Sequence, residues 1–267
     1  MTERDHRDDE FAWAELRATL CQPPTLIGAG AMLAAAQSKP AFLVDQMIPA
    51  GAITLMVGIP GAKKSWLAYS LALATARCGE WLGKRVTPMG PTPRVVIFNY
   101  DNPTPECGRR FKRLGMQPED PIFFHSVDLD PLRLPKAAES IRAIVAEMQP
   151  SLVVIDSFRQ AHESDENSSS DMAKVMGCYK QLYTNGCAVV IVHHANKSEL
   201  ATGLSKTRGS GEIPASADCQ IDVSFDKDSE SDVATWSKHR SWEIADLDAS
   251  IPFELLDAGE QTHLQRA

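Results

Sequence analysis

Residues 53–66, with the sequence ITLMVGIPGAKKSW, combine an apolar strand-like segment, a glycine-bearing loop and the start of a helix-like segment. Strand, loop, Lys-Ser and helix follow one another in this order in phosphate-binding P-loops. Glycines let backbone N–H groups curl around a phosphate, and the N-terminus of the helix adds positive potential. The segment therefore predicts a nucleotide site at the start of an α/β fold.

The side chains of this loop have separate predicted roles. Lys64 is expected to reach the β- and γ-phosphates, and the Ser65 hydroxyl to ligate Mg²⁺. Lys63 stands where the pattern G-x-x-x-x-G-K-[ST] has its second glycine, so its side chain either crowds the phosphate or adds a second positive charge. An ordinary Gly/Pro turn before an amphipathic helix is the alternative. It does not explain why Lys64 and Ser65 occupy the positions that the P-loop pattern requires. The residues predicted to contact the nucleotide are Gly58, Pro60, Gly61, Ala62, Lys63, Lys64, Ser65 and Trp66.

The bulk properties are those of an ordinary globular protein. A chain of 267 residues, 43% hydrophobic and 23% charged, suits one α/β domain with a short extension. The net charge of −8 argues against a surface that is basic all over, although it permits a local basic groove. No apolar run reaches the ~20 residues of a membrane span. The charged start, without an apolar core after it, predicts no signal peptide.

The cysteines indicate a cytoplasmic protein. Six of them lie far apart in the sequence, and no two form a CxxC pair. Reduced thiols in a cytoplasmic protein are therefore expected, and the spacing argues against a zinc site.

Apolar runs alternate with helix-like segments through the middle of the chain. Short continuous runs such as Leu152–Ile155 are typical of strands buried on both faces of a parallel sheet. The alternation predicts βαβ units with right-handed crossovers. The predicted strands are Ile53–Val57, Val95–Tyr100, Ile122–His125, Leu152–Ile155 and Ala188–Val192, and the predicted helices are 65–77, 105–114, 136–148 and 170–185.

The character of the sequence changes after Gly211. Three short strands joined by acidic turns are predicted there, which would extend the sheet in antiparallel fashion at one edge. They are Gln220–Phe225, Val233–Lys238 and Ile251–Leu255.

Outside this core we expect two extensions. Residues 1–40 form an N-terminal arm, with disorder over 1–10 and short helices at Phe11–Leu20 and Leu26–Gln37. The arm packs on the core or on a neighbouring subunit, or is only a linker. The catalytic domain then spans 41–257, and 258–267 form a tail.

Two further strands are expected to end in catalytic carboxylates. Asp156 follows the run Leu152–Ile155 and is predicted to hold the water shell of Mg²⁺ beside the P-loop. Asp101 follows Val95–Tyr100 and is the candidate to orient the attacking water and accept its proton. A helix cap or a turn is the alternative role for each.

A third strand, Ala188–Val192, is followed by His193 and His194. His194 is placed to sense the γ-phosphate and to relay its presence to the loop that follows. A structural or metal-ligating histidine is the alternative, although the sequence names no further metal ligands.

Taken together, these motifs resemble the RecA-like ATPases of the RepA-type hexameric helicase family over residues 45–256. His-His-Ala-Asn-Lys followed by Thr-Arg-Gly-Ser-Gly is the most family-specific part. The resemblance implies an α/β fold with a RecA-like P-loop NTPase core, a mostly parallel sheet flanked by helices, and antiparallel strands at the C-terminal edge. It also implies a hexameric ring with ATP and Mg²⁺ bound between neighbours. The motifs are GIPGAKKSWLA, VVIFNYDN, LVVIDSFRQAH, VVIVHHANK and TRGSGEIPASADCQIDV.

The resemblance assigns roles position by position. Lys64 and Ser65 match the P-loop lysine and Mg²⁺ serine, Asp156 the Walker B aspartate, and His194 the sensor histidine. Asp101 matches a catalytic carboxylate that the family usually supplies as glutamate. Because aspartate is one methylene shorter and Lys63 replaces a glycine, slow or regulated hydrolysis is expected.

Ring ATPases also receive a cation from the adjoining subunit, which stabilises charge on the γ-phosphate. Arg240, in Lys238-His239-Arg240, resembles the Lys-x-Arg finger of RecA-like helicases, and Arg208 is the rival. A solvated surface cation is the alternative for both.

The loop from Lys197 to Gly211 is the candidate DNA contact. It carries three cations, Lys197, Lys206 and Arg208, against one acid, and is rich in Gly, Ser and Thr. Such a loop could line a pore and grip the phosphates of single-stranded DNA. A lid or a subunit contact is the alternative.

Two functions therefore stand open. One is a ring helicase or translocase on single-stranded DNA, favoured by the sensor histidine and the finger candidate. The other is a switch ATPase that controls assembly or a partner protein, favoured by the acidic charge and by Lys63. A small-molecule kinase is a third reading, but the sequence shows no lid over an acceptor site.

Overall fold

The protein is described here by a computed structural model, which covers residues 27–35, 41–90, 92–129, 132–183, 186–196, 206–240, 250–258 and 261–266. The chain divides into two units, Met1–Lys39 and Pro40–Ala267. In the first unit the described structure is helix α1, Ala29–Ala35, which lies within the predicted helix Leu26–Gln37. The other predictions for the arm, over 1–10 and Phe11–Leu20, lie outside the described residues.

The second unit alternates strands and helices as the sequence predicts. Its strands are β1 Phe42–Val44, β2 Ile48–Pro49, β3 Ile53–Gly58, β4 Glu80–Trp81, β5 Lys84–Arg85, β6 Val95–Asn99, β7 Ile122–Ser126, β8 Leu152–Asp156, β9 Ala188–His194, β10 Cys219–Asp226, β11 Ser231–His239, β12 Ser250–Ala258 and β13 Gln261–Arg266. Its helices are α2 Lys64–Ala76, α3 Thr104–Arg113, α4 Ala138–Met148, α5 Ser169–Lys180 and α6 Glu212–Ser216, with a 3-10 turn at Phe158–Gln160.

One nine-stranded sheet organises this unit, in the order β13-β12-β11-β10-β3-β9-β8-β6-β7. The strands from β10 to β7 in this order pair in parallel. The strands β10, β11, β12 and β13 pair in antiparallel fashion. The predicted fold class is confirmed: an α/β fold, consistent with a RecA-like P-loop core, whose antiparallel strands lie at the C-terminal edge.

Helices cover both faces of the parallel part of the sheet. Val154 of β8 packs in one apolar cluster with Leu67 of α2 and Phe111 of α3. Its neighbours on the strand, Val153 and Ile155, face the other cluster, which includes side chains of α4 and α5. Because successive strand residues point to opposite faces and both faces are buried, the strands read as unbroken apolar runs.

The structure extends the sheet beyond the predicted strands. β9 continues through His194, and β13 forms within the predicted tail at 258–267. The polar sequence of β13 carries no strand signal of its own, and the strand exists because β12 offers it a pairing edge. Within the described residues, no helix is both long and apolar enough to cross a bilayer.

Glycine at position 58, where β3 ends, is required by a close approach of two backbones. A Cβ there would lie 2.4 Å from the Val223 carbonyl oxygen of β10, a backbone atom that cannot move aside. In helix α3, by contrast, a Cβ at Gly108 would meet no atom of the described residues within 4 Å.

These two glycines give a matched stability test. Gly58→Ala should lower the free energy of unfolding by about 1–3 kcal/mol, because the methyl group must push β3 away from β10. Gly108→Ala should raise it by about 0.5–1 kcal/mol, since alanine loses less backbone entropy in a helix. Urea unfolding followed by circular dichroism measures both, and equal effects of the two substitutions would contradict the close-packing argument.

Candidate nucleotide-binding site

The carboxyl ends of four parallel strands meet at one edge of the sheet. Gly58 at the end of β3 pairs with His194 at the end of β9, and Asp156 of β8 pairs with Val192 of β9 and with Asn99 of β6. A cavity of about 280 Å³ opens at this edge, lined by the loop after β3 and by side chains that follow the other three strands. The structure therefore brings Lys64, Ser65, Asp101, Asp156 and His194 to one cavity.

The loop between β3 and α2 has the backbone of a phosphate cradle. Gly61 takes a φ of 85°, which glycine adopts without strain, and α2 starts at Lys64. Of the residues predicted to contact the nucleotide, six line the cavity: Pro60, Gly61, Lys63, Lys64, Ser65 and Trp66. Gly58 and Ala62 instead pack beneath the loop, where Gly58 faces β10 and Ala62 joins the apolar core.

Lys64 is a buried cation on the floor of this cavity. Its side-chain ammonium donates a hydrogen bond of 2.8 Å to the Ile59 carbonyl oxygen of the same loop. Burial lowers the pKa of Lys64, and the nearby Asp156 and Asp101 carboxylates oppose that shift. The ammonium is therefore held at the cavity with its charge only partly offset, which suits it to bind an anion.

Asp156 is a buried carboxylate beside Lys64. Its Oδ2 accepts a hydrogen bond of 2.7 Å from the Tyr69 hydroxyl. Burial raises the pKa of Asp156, and hydrogen bonds from the Tyr69 and Ser65 hydroxyls oppose the shift. The second oxygen, Oδ1, is buried and has no hydrogen-bond partner among the described residues.

This chemistry fits Mg²⁺. A hard cation takes oxygen ligands, or binds waters that are held by carboxylates. Asp156 supplies an unpartnered buried oxygen, and Ser65 lines the same cavity. Asp156 and Ser65 are therefore the residues that would hold the metal.

Asp101 is an exposed carboxylate that lines the same cavity. The Ser157 hydroxyl donates a hydrogen bond of 3.3 Å to its Oδ1. Asp101 does not cap the following helix, because the N-cap residue of α3 is Pro103. The Thr104 amide donates its hydrogen bond to Asp128 instead. The capping alternative is thereby removed, and Asp101 is left facing the cavity.

His194 lines the cavity as a half-buried imidazole. Burial is the main reason that its pKa is lowered, and the positive charges of Lys64 and Arg208 act in the same direction, while Asp101 opposes them. A neutral ring can accept or donate one hydrogen bond without adding charge. The side chain is therefore suited to sensing a phosphate oxygen.

A protein-family model described as an AAA domain matches residues 19–199, more than half of the chain. The chain belongs to the AAA-domain family. Members of such families are P-loop ATPases, which generally bind ATP with Mg²⁺. The match spans β1 to β9 and so includes all four strand ends of the site.

Lys63 occupies the glycine position of the P-loop in this AAA-domain protein, and its charge is paired with a carboxylate. Its φ of 58° lies in the left-handed region, which costs a non-glycine residue about 1–2 kcal/mol. Its ammonium forms an ion pair with Asp232, a buried carboxylate in β11. The expected second positive charge at the loop is thus paired with β11.

The described cations of the predicted DNA loop also face carboxylates. Arg208 lies 3.7 Å from Glu166, and Lys206 lies 3.8 Å from Asp222. Backbone bonds tie the segment to β9, since the Arg208 amide donates to the His194 carbonyl oxygen. Lys197 lies outside the described residues.

Arg240, the candidate finger, is bonded within its own chain. Its guanidinium donates a hydrogen bond of 2.8 Å to the Ala215 carbonyl oxygen and lies 3.3 Å from Asp218. Lys238 donates to the Ala217 carbonyl oxygen, so both cations lie at the carbonyl end of α6. A role for Arg240 in a neighbouring site stays a prediction.

Two side chains of the site were missed by the sequence analysis. Arg110 of α3 lines the cavity, but its spacing from Glu106 is that of an ordinary solvated helix pair, and the two are bonded at 3.1 Å. Tyr69 is buried beneath the loop. The sequence signal that could have identified Tyr69 is its polar hydroxyl among the apolar residues of the P-loop helix.

The two adjacent lysines give a direct test of the phosphate assignment. Lys64→Ala should weaken ATP binding by roughly 10–100-fold, because a charge-assisted hydrogen bond to phosphate is lost. Lys63→Gly should change it by less than about threefold, since glycine accepts the positive φ and Lys63 serves Asp232. Titration calorimetry measures both affinities. If Lys63→Gly loses as much affinity as Lys64→Ala, Lys63 also binds the phosphates.

His193, adjacent to His194, gives a prediction of pH dependence. It is fully buried, its Nε2 bonds the Arg208 carbonyl oxygen at 2.9 Å, and burial lowers its pKa to about 4. An unfolded histidine titrates near 6.5, so between about pH 6.5 and 4 the unfolded state binds a proton that the folded state does not. The histidine therefore favours folding above pH 6.5, and this contribution falls by up to about 1.4 kcal/mol per pH unit below it.

The variant His193→Gln removes this titration and retains a polar side chain. Urea unfolding of both proteins from pH 7 to 4.5 should show the wild type losing stability more steeply, since all other titrating groups are common to the two. Parallel pH profiles would contradict the assignment.

Proposed function

We propose that this AAA-domain protein hydrolyses ATP with Mg²⁺ and uses hydrolysis to move along single-stranded DNA as a hexameric ring. The observation that carries the hydrolytic part is the meeting of four groups at one sheet edge. These are a buried lysine, a buried carboxylate with an unpartnered oxygen, an exposed carboxylate and a half-buried imidazole of lowered pKa. The ring and the DNA are supported by the family resemblance of the motifs.

Substrate binding follows from the loop. The backbone N–H groups of the P-loop and the N-terminus of the 13-residue helix α2 attract the triphosphate, and Lys64 exchanges its bond to Ile59 for one to a phosphate oxygen. Ser65 and Asp156 would hold the metal. When bound, Mg²⁺ neutralises charge on the phosphate oxygens.

Hydrolysis needs a water molecule in line with the γ-phosphate. Asp101, exposed at the cavity and steadied by Ser157, orients this water and accepts its proton as the oxygen bonds to phosphorus and the bond to the β-phosphate oxygen breaks. ADP and phosphate are the products. Asp156 is not the base, because it is buried and faces the metal position. His194 bonds a γ-phosphate oxygen and reports its presence through β9 to the segment at Lys206 and Arg208.

A neighbouring subunit completes the site in this proposal. Arg240 leaves its carbonyl partners at the end of α6 and reaches the γ-phosphate of the adjoining copy, with Arg208 as the rival. Such a cation can contribute roughly 10³–10⁵ in rate. Hydrolysis in one subunit thereby depends on the position of the next.

A switch ATPase that controls assembly or a partner protein is the second candidate. It is favoured by the ion pairs of the DNA-loop cations, since Lys206 and Arg208 must give up Asp222 and Glu166 before they can grip phosphates. The net charge of −8 also opposes approach to DNA.

One experiment separates the two candidates. ATP turnover of the purified protein should rise severalfold on addition of single-stranded DNA, and a forked duplex should be unwound. Asp101→Asn is the control: it should bind ATP normally and hydrolyse it roughly 10²–10⁴-fold more slowly. A turnover rate that is unchanged by DNA, together with a nucleotide-dependent change of oligomeric state, would favour the switch ATPase. Undiminished turnover by Asp101→Asn would assign the base to another residue.

A further inference from the structure

We propose that Tyr69 is a positioning residue for the metal site: its hydroxyl binds one oxygen of Asp156 and so presents the other to Mg²⁺. The inference rests on the proposed function, because it concerns the same site. It assigns a role to a residue of the P-loop helix that lies outside the P-loop motif.

The geometry joins two elements that both serve the nucleotide. Tyr69 lies on α2, the helix that also carries Lys64 and Ser65, and its hydroxyl donates 2.7 Å to Asp156 Oδ2 at the end of β8. Both side chains are buried, at 0% and 1% exposure. The bond therefore fixes the carboxylate to the helix that holds the phosphate-binding lysine, with no water between them.

The phenol is itself held in place. Its ring stacks on Phe111 of α3 at a centroid distance of 4.6 Å and an interplanar angle of 28°. Phe111 in turn meets Phe124 of β7 edge to face at 4.9 Å. Because the ring is wedged among aromatic side chains, the hydroxyl is a donor of fixed position.

The two oxygens of Asp156 thus differ in their surroundings. Oδ2 is occupied by the phenol, whereas Oδ1 has no partner among the described residues although it is buried. A buried carboxylate needs donors, and a donor on one oxygen supplies that need while leaving the other oxygen free. Partners of this kind orient the ligands of metal sites, and their loss commonly weakens metal binding roughly 10–100-fold.

Tyr69→Phe tests the assignment, because phenylalanine retains the ring against Phe111 and removes only the hydroxyl. The matched control is Tyr179→Phe, since Tyr179 is equally buried but its hydroxyl has no hydrogen-bond partner in the described part of the chain. ATP affinity is measured by calorimetry in excess EDTA and in Mg²⁺, using a non-hydrolysable analogue. Thermal unfolding without nucleotide reports on the fold.

The expected result is selective. Tyr69→Phe should bind the analogue in EDTA as the wild type does, and should need roughly 10–100-fold more Mg²⁺ to reach the wild-type affinity. Tyr179→Phe should match the wild type in both conditions. A Tyr69→Phe protein with an unchanged Mg²⁺ requirement, or with equal losses in EDTA and in Mg²⁺, would overturn the assignment even though the nucleotide site stands. A wild type that binds no nucleotide would overturn the proposed function and this role with it.

Should Tyr69→Phe fail to fold, Phe111→Leu takes its place. It leaves the hydroxyl but removes the ring that orients it, so the Mg²⁺ requirement should rise severalfold. An unchanged requirement in that variant would overturn the assignment as well.

Discussion

Burial of Lys64 and Asp156 at the same edge of the sheet is the constraint on which the site depends. Each charge would be costly to bury alone, and the Asp156 carboxylate opposes the lowering of the Lys64 pKa by burial. The surroundings supply specific partners for each: the Ile59 carbonyl for the ammonium, and the Tyr69 and Ser65 hydroxyls for the carboxylate. An anion and a metal ion, bound together, would complete this arrangement of opposite charges.

The same logic explains how the P-loop tolerates a lysine in place of glycine. Lys63 adopts the backbone conformation that the loop requires, and its charge is drawn to Asp232 at the antiparallel edge of the sheet. The loop is thus tied to β11, which also carries Lys238. Lys63, which departs from the consensus pattern, thus joins the nucleotide loop to β11. This strand lies beyond the residues that the family model matches.

The cations proposed to contact DNA or a neighbouring subunit share one property: each is bonded within its own chain. Arg208 faces Glu166, Lys206 faces Asp222, and Arg240 bonds the end of α6. Any contact with DNA or with a neighbouring subunit must exchange these partners for new ones.

The parallel core, the phosphate loop and the strand ends near Asp101, Asp156 and His194 could be predicted from the order of residues alone. These follow from local patterns: apolar runs of strand length, a glycine-bearing turn, and a polar residue where each run stops. The three-dimensional fold, in contrast, brings Tyr69 to Asp156 and Lys63 to Asp232, because these partners are 87 and 169 residues apart in the sequence. It also decided that the polar residues of β13 form a strand, since β12 supplies the edge. Side-chain pairing across the sheet depends on strand order and register, and no local pattern carries that information.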